Sequence, residues 1–298
     1  MKTILPIRII SALLVCAGIC VAADKPNAQP AAHPEMLVST QWLADRLNDP
    51  KVVILQADDE RTAYDKGHIP GARLLQTQDF IVGHQGLMDE LPSTDKLKET
   101  FQKLGVSDDS RVIIYTSEWY PGAARVYYTL DYLGHENTAL LDGSIDRWKA
   151  ENRALSTESP MVTAGSFTPH VNEHVRALLA DAKAATQNDS STLLVDSRPA
   201  RRYKQGHLPG AVPIFWEETV LSPKDPVFLS PDKLRALFTS RGVTPGHKVI
   251  TYCEVGLQAS HNYFVAKYLG YDAAMYDGSF YEWNDIEHQP LVKGTSRR

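Results

Sequence analysis

Residues 111–134 read RVIIYTSEWYPGAARVYYTLDYLG, and residues 248–270 read KVITYCEVGLQASHNYFVAKYLG. Each opens on a β-branched run, crosses a short loop and closes on a helical pattern that ends in Tyr-Leu-Gly. Two further landmarks recur in the same order: GHIPGA at 67–72 returns as GHLPGA at 206–211, and DGSIDRW at 142–148 returns as DGSFYEW at 277–283. The separations, 139 for GH(I/L)PGA, 136 at the shared Tyr-Leu-Gly and 135 for DGS, barely change along the chain. This is a tandem duplication of roughly 120 residues per copy, too long a period for a stacked solenoid. The expected layout is a first domain over 37–150, a linker over 151–166 rich in Ser, Thr, Gly and Pro, and a second domain over 167–292.

Within the second copy TLLVDS and HKVITYC read as buried strands, while VRALLADAKAA, SPDKLRALFTSRG and QASHNYFVAKYLG read as helices. Strands alternating with helices predict an α/β fold with a parallel sheet flanked by helices in each domain. The first 23 residues carry Lys2 and Arg8, an apolar segment with Cys16 and Cys20, and small residues ending at Ala23. They predict a cleaved signal peptide, because the uninterrupted apolar run is shorter than the roughly 20 residues of a membrane span. The expected product is exported, periplasmic in a bacterium, and free of the membrane. Loss of two cations would take the net charge from −5 to −7. At 43% hydrophobic and 22% charged the chain has an ordinary globular composition, and nothing in it calls for nucleic acid.

After such cleavage Cys253 is the one remaining cysteine, an odd count for an exported domain stapled by disulfides. The duplication supplies an internal control: features common to both copies belong to the shared fold, and differences mark a specialised site. His68 and His207, Asp142 and Asp277, and Trp148 and Trp283 match and read as structural, as do Glu118 and Glu254. Three differences stand out. Aligned through its helix, Cys253 faces Ser117, Gly256 faces Tyr120, and DSRPARRYK (196–204) faces ADDERTAYD (57–65), so that Arg198, Arg201, Arg202 and Lys204 replace Asp59, Thr62, Ala63 and Asp65. Both altered segments follow strands. Loops at the carboxyl ends of parallel strands share the edge where ligands bind, so a thiol and several cations are expected at one cleft. Backbone N–H groups at a strand-to-helix turn near Gly256, with the helix dipole, are expected to favour thiolate at Cys253.

The paired GH(I/L)PGA and DGS-x-x-x-W landmarks, the DSRPARRY segment and the CEVGLQ loop resemble the two-domain rhodanese sulfurtransferases over about residues 37–290. The resemblance implies an inactive first domain and a second domain whose cysteine carries sulfur as a persulfide. It maps a substrate-binding arginine onto Arg202, with Arg198 beside it. It also maps a persulfide cradle onto Glu254, Val255, Gly256, Leu257 and Gln258. The expected activity is thiosulfate sulfurtransferase, passing sulfur from a small anionic donor to cyanide or a thiol, with a protein acceptor as a further partner and no cofactor or metal. The loop lacks both the basic residues typical of thiosulfate-using relatives and the Gly-Ser-Gly of mercaptopyruvate-using ones. Mercaptopyruvate sulfurtransferase and a non-catalytic sulfur carrier therefore stand as alternatives. A phosphatase of related fold would need an arginine six places after the cysteine, where this chain has Ala259.

Overall fold

The structure is a computed structural model that describes residues 33–117, 120–187, 191–223 and 225–297. The expected signal peptide, with Cys16 and Cys20, and Glu118 lie outside these residues. The first half contributes strands β1 (Leu37–Val38), β2 (Val52–Asp58), β3 (Arg73–Gln76), β4 (Arg111–Tyr115) and β5 (Thr138–Leu141). The second half contributes β6 (Arg176–Ala177), β7 (Thr192–Asp196), β8 (Val212–Pro213), β9 (Lys248–Tyr252) and β10 (Asp272–Tyr276). The sheets run β3-β2-β4-β5-β1 and β8-β7-β9-β10-β6, and every neighbouring pair is parallel. The two orders are identical position by position, so each domain is the same five-stranded parallel sheet flanked by helices.

One expected helix divides. In VRALLADAKAA the helix covers only Leu179–Thr186, while Arg176 and Ala177 form β6 and pair with Met275 and Tyr276. The Asp181 carboxylate accepts the Leu178 N–H at 2.8 Å, which starts the helix there and frees the preceding residues for the sheet edge.

Two long helices set the relation between the domains: α1 (Tyr120–Tyr132) after β4, and α2 (Leu257–Tyr268) after β9. Each is buried on nearly every side because it lies against its own sheet and against the other helix. Tyr127 meets Phe264 and Tyr128 meets Tyr263, edge to face, at ring separations of 4.9 and 5.2 Å. Such aromatic pairs contribute about 0.5–1.5 kcal/mol each beyond area burial. Asp131 of α1 accepts from Tyr263 and pairs with Lys267 at 2.5 Å. The apolar core on this face runs unbroken through both domains, whereas the opposite face of each sheet has a separate core, around Trp148 in one and Trp283 in the other. His68 and His207 stack on Tyr64 and Tyr203 at 3.7 Å, and each bonds a tyrosine carbonyl four residues back. Their structural reading holds in both copies.

Candidate active site

Cys253 follows the last residue of β9, the central strand of the second sheet, and α2 begins four residues later at Leu257. Gly256 caps the helix with φ at +97°, in the left-handed region that favours glycine. That turn aims the Gly256 N–H at Cys253 Sγ, 3.1 Å away. The loop is held from below by the DGS segment. The Cys253 N–H donates to Ser279 Oγ at 3.2 Å, while the Phe280 and Tyr281 N–H groups donate to the carbonyls of Cys253 and Glu254 at 3.0 Å.

The thiol is 1% exposed. Burial pushes it above its ordinary pKa, and the backbone N–H groups of Ala259, Val255, Gly256 and Gln258 pull it back only in part. The expected thiolate preference is therefore corrected: the cradle exists, but desolvation outweighs it. The N–H groups are arranged to receive negative charge on sulfur.

Arg198 and Arg202, neighbours in sequence, occupy different environments. Arg198 is buried, and its guanidinium bonds Asp196 from Nε and Nη2 (3.0 and 2.7 Å), the Gly206 carbonyl at 2.8 Å and Glu254 at 3.3 Å. Burial works against its cation, but Asp196 outweighs burial and holds the pKa above the usual arginine value. With its donors so committed, Arg198 fixes the Glu254 end of the loop instead of facing a substrate. Arg202 is exposed on the helix Ala200–Gln205, as is Arg201, and the Arg202 side chain makes no hydrogen bond or ion pair among the described residues. Cys253, Glu254, Val255, Gly256, Gln258 and Arg198 are thus brought together, and among the described residues no side-chain hydrogen bond or ion pair joins Arg202 to them. Leu257 reaches across to line a small cavity with Asp58, Asp59, Thr77 and Phe80 of the first domain.

The sheet registers change one correspondence between the copies. Tyr252 pairs with Asp196, and Tyr115 pairs with Gln56; in both cases the tyrosine hydroxyl also bonds that partner, at 2.8 and 2.5 Å, and receives a GH(I/L)PGA amide. Hence Thr116, not Ser117, stands where Cys253 stands, and Asp58, not Asp59, stands where Arg198 stands. The Thr116 N–H bonds Ser144 Oγ at 2.9 Å just as Cys253 bonds Ser279. Asp58 accepts from Thr116 Oγ1, from both the N–H and Oγ of Ser117, and from Gln56 Nε2, all within 2.8 Å. In the first copy a carboxylate on the strand end gathers the loop donors; in the second, a cation on the strand end holds a loop carboxylate.

Sequence reasoning missed Arg125. Fully buried in α1, it forms a two-point ion pair with Asp277 (2.5 and 3.2 Å) across the domain boundary and beside the cysteine loop. The signal was present, since its counterpart in the repeat is His261.

Comparison with known proteins agrees with this architecture. The Rhodanese-like domain family matches twice, at residues 39–151 and 178–286. A protein described as the sulfur carrier protein TtuD of Thermus thermophilus is 34% identical, over 88% of this chain and 98% of its own length. A thiosulfate sulfurtransferase of Corynebacterium glutamicum is 28% identical over 92% of this chain and 95% of its own. Among solved structures, the 3-mercaptopyruvate sulfotransferase SseA of Escherichia coli superposes with a TM-score of 0.72 at 26% identity, covering 82% of this chain and 98% of its own. With two matched domains, the same sheet twice and the Cys253 thiol at the carboxyl edge of the second, the chain belongs to the two-domain rhodanese-like sulfurtransferases.

Proposed function

We propose that this protein is a thiosulfate sulfurtransferase that carries sulfur on Cys253. The observation that carries the reading is the Gly256 N–H on Sγ at 3.1 Å where α2 begins, with the neighbouring Val255, Gln258 and Ala259 amides also favouring negative sulfur, a cradle suited to an anionic sulfur. In the first step the Cys253 thiolate attacks the outer sulfur of thiosulfate. A new S–S bond forms, the S–S bond of thiosulfate breaks, and sulfite leaves with the electron pair. In the second step cyanide or a thiolate attacks the outer persulfide sulfur, and the Cys253 thiolate departs with the pair. The scheme is covalent and ping-pong. Arg202 is assigned to the donor or departing sulfite on the strength of the family motif, and its exposed guanidinium leaves a bidentate fork available. Glu254 is countered by Arg198, which reduces its repulsion of an incoming anion.

A second reading, delivery of the sulfur to a protein thiol, is favoured by the likeness to the sulfur carrier of Thermus thermophilus. The protein is expected to work after export. The test is intact mass after incubation with thiosulfate and desalting: wild type gains one sulfur atom, removable by cyanide, and Cys253→Ser gains none. Sulfur uptake without turnover on small acceptors selects the carrier; no uptake overturns the proposal.

A further inference from the structure

Building on the sulfur-transfer reading above, we propose that Arg125, supplied by the first domain, is a positioning residue for chemistry at Cys253: through Asp277 it holds the 253–259 loop in the shape that aims its amides at sulfur. Arg125 Nη1 lies 2.5 Å from Asp277 Oδ1, and Nη2 lies 3.2 Å from Oδ2 and 2.5 Å from the Asp89 carbonyl. Two routes lead from this pair to the thiol. Asp277 opens the DGS segment, whose Ser279 accepts the Cys253 N–H and whose next two amides fix the carbonyls of Cys253 and Glu254. Gly256 touches the pair directly. A Cβ at that position would lie 2.8 Å from Asp277 Oδ1 and 3.2 Å from Arg125 Nη1, so the ion pair presses against the turn whose N–H sits on Sγ.

The repeat shows that this is a local specialisation. Asp142, the counterpart of Asp277, also reaches the other domain, where it accepts the Phe228 N–H at 2.9 Å. The counterpart of Arg125 is His261, which bonds Thr219 at 2.7 Å and stacks on Phe228 at 5.1 Å. Burial pushes its pKa down to about 3, so it is neutral. Both copies keep a cross-domain aspartate, and the helix position that supplies the Arg125 cation below Cys253 holds a neutral histidine in the other copy. The chemistry explains why. An unpaired carboxylate behind Gly256 would oppose thiolate, persulfide and anionic donor alike, and Arg125 cancels that charge while fixing the carboxylate by two points. The other charged or titratable groups around the pair are Asp89, Glu90 with its partner Arg176 at 2.6 Å, and Tyr128.

The experiment compares wild type, the charge-neutral pair Arg125→Gln/Asp277→Asn, Arg125→Lys, and Lys267→Met, which breaks another cross-domain pair away from the loop. Thermal unfolding, the pH profile of Cys253 alkylation by iodoacetamide, and steady-state transfer from thiosulfate to cyanide are measured for each. Arg125→Gln/Asp277→Asn is expected to fold, to shift the alkylation profile upward by about one pH unit as the loop amides lose their aim, and to lower kcat by roughly ten- to a hundredfold. Arg125→Lys, which keeps the charge and loses the fork, should fall between. Lys267→Met should keep the wild-type profile and rate whatever it does to Tm. A wild-type alkylation profile and kcat in the double variant would show that the pair only joins the domains, and would overturn the proposal. If the double variant does not fold, Arg125→Lys decides in the same way. Absence of turnover in wild type would remove the thiosulfate assignment, while the alkylation profiles would still decide the role of Arg125.

Discussion

Cys253 stands between opposing influences, burial that favours the neutral thiol and a ring of amides that favours negative sulfur. Reactivity therefore depends on the aim of individual N–H groups, and Gly256 is where that aim is most easily lost. Its φ of +97° disfavours any Cβ, and the Cβ would meet the Asp277 carboxylate. Gly256→Ala should raise the pH needed for half-maximal alkylation and lower sulfur transfer by at least roughly tenfold, measured by iodoacetamide kinetics and cyanide assay. Glu254 offers a change of opposite sign. Asp196, Arg198 and Glu254 together carry one net negative charge beside the loop, and Glu254→Gln neutralises it without touching the buried Asp196–Arg198 bonds. The side chain of Glu254 is 42% exposed, so the stability change should be small. Thiosulfate kcat/KM should rise roughly two- to tenfold at low salt, with the gain shrinking as ionic strength increases. An unchanged kcat/KM would mean that the anion approaches along a path this carboxylate does not reach.

At the scale of the loop and its flanking elements, the two copies use one frame for different ends. In the first, Asp58 occupies the donors of the loop, so its negative charge fills the place an anion would take. Ser117→Ala should leave sulfur transfer within about twofold of wild type while lowering stability by about 1–3 kcal/mol, because the buried carboxylate loses a donor. Thr116→Cys placed in a Cys253→Ala background should take up no sulfur from thiosulfate, since Asp58 faces it. Mass spectrometry reads the second outcome and chemical denaturation the first. The same loop shows where sequence reading stops. The duplicated landmarks made the parallel α/β sheets, the cysteine and its glycine turn legible, because strand and helix patterns and turn residues are local. The pairing of Cys253 with Thr116 was not, because the first copy carries one extra loop residue and only the backbone register of Tyr115 and Tyr252 places it. The edge strand at Arg176–Ala177 was hidden for a related reason, its apolar residues merging into the helical pattern that follows. Arg198 read as one more cation; its burial on Asp196 depends on the fold of the loop around it.

For the molecule as a whole, the domain boundary carries two groups whose pKa values are displaced in opposite directions. Glu90 is pushed up from 4.5 to about 7, chiefly by burial and then by the nearby Asp277, against the pull of Arg176. A carboxyl whose folded pKa is raised binds its proton more tightly when folded, so its contribution is present below about 4.5 and is lost as pH climbs to about 7. His261 is pushed down from 6.5 to about 3 by burial, so its contribution is present above 6.5 and is lost as pH falls. Between about 4.5 and 6.5 the folded protein holds the Glu90 proton that the unfolded chain releases, and lacks the His261 proton that the unfolded chain binds. The two slopes, each up to about 1.4 kcal/mol per pH unit, oppose one another. Burial shifts Asp89 upward and His135 downward as well. Over this window the wild-type Tm should be nearly flat as far as Glu90 and His261 decide it. Glu90→Gln removes the falling contribution and should give a Tm that rises with pH, whereas His261→Gln removes the rising one and should give a Tm that falls. Calorimetry across the window checks both slopes. Parallel profiles for wild type and Glu90→Gln would mean that Arg176 keeps Glu90 ionised throughout, and that the cluster behind the cysteine loop holds a fixed charge over the range in which sulfur transfer is measured.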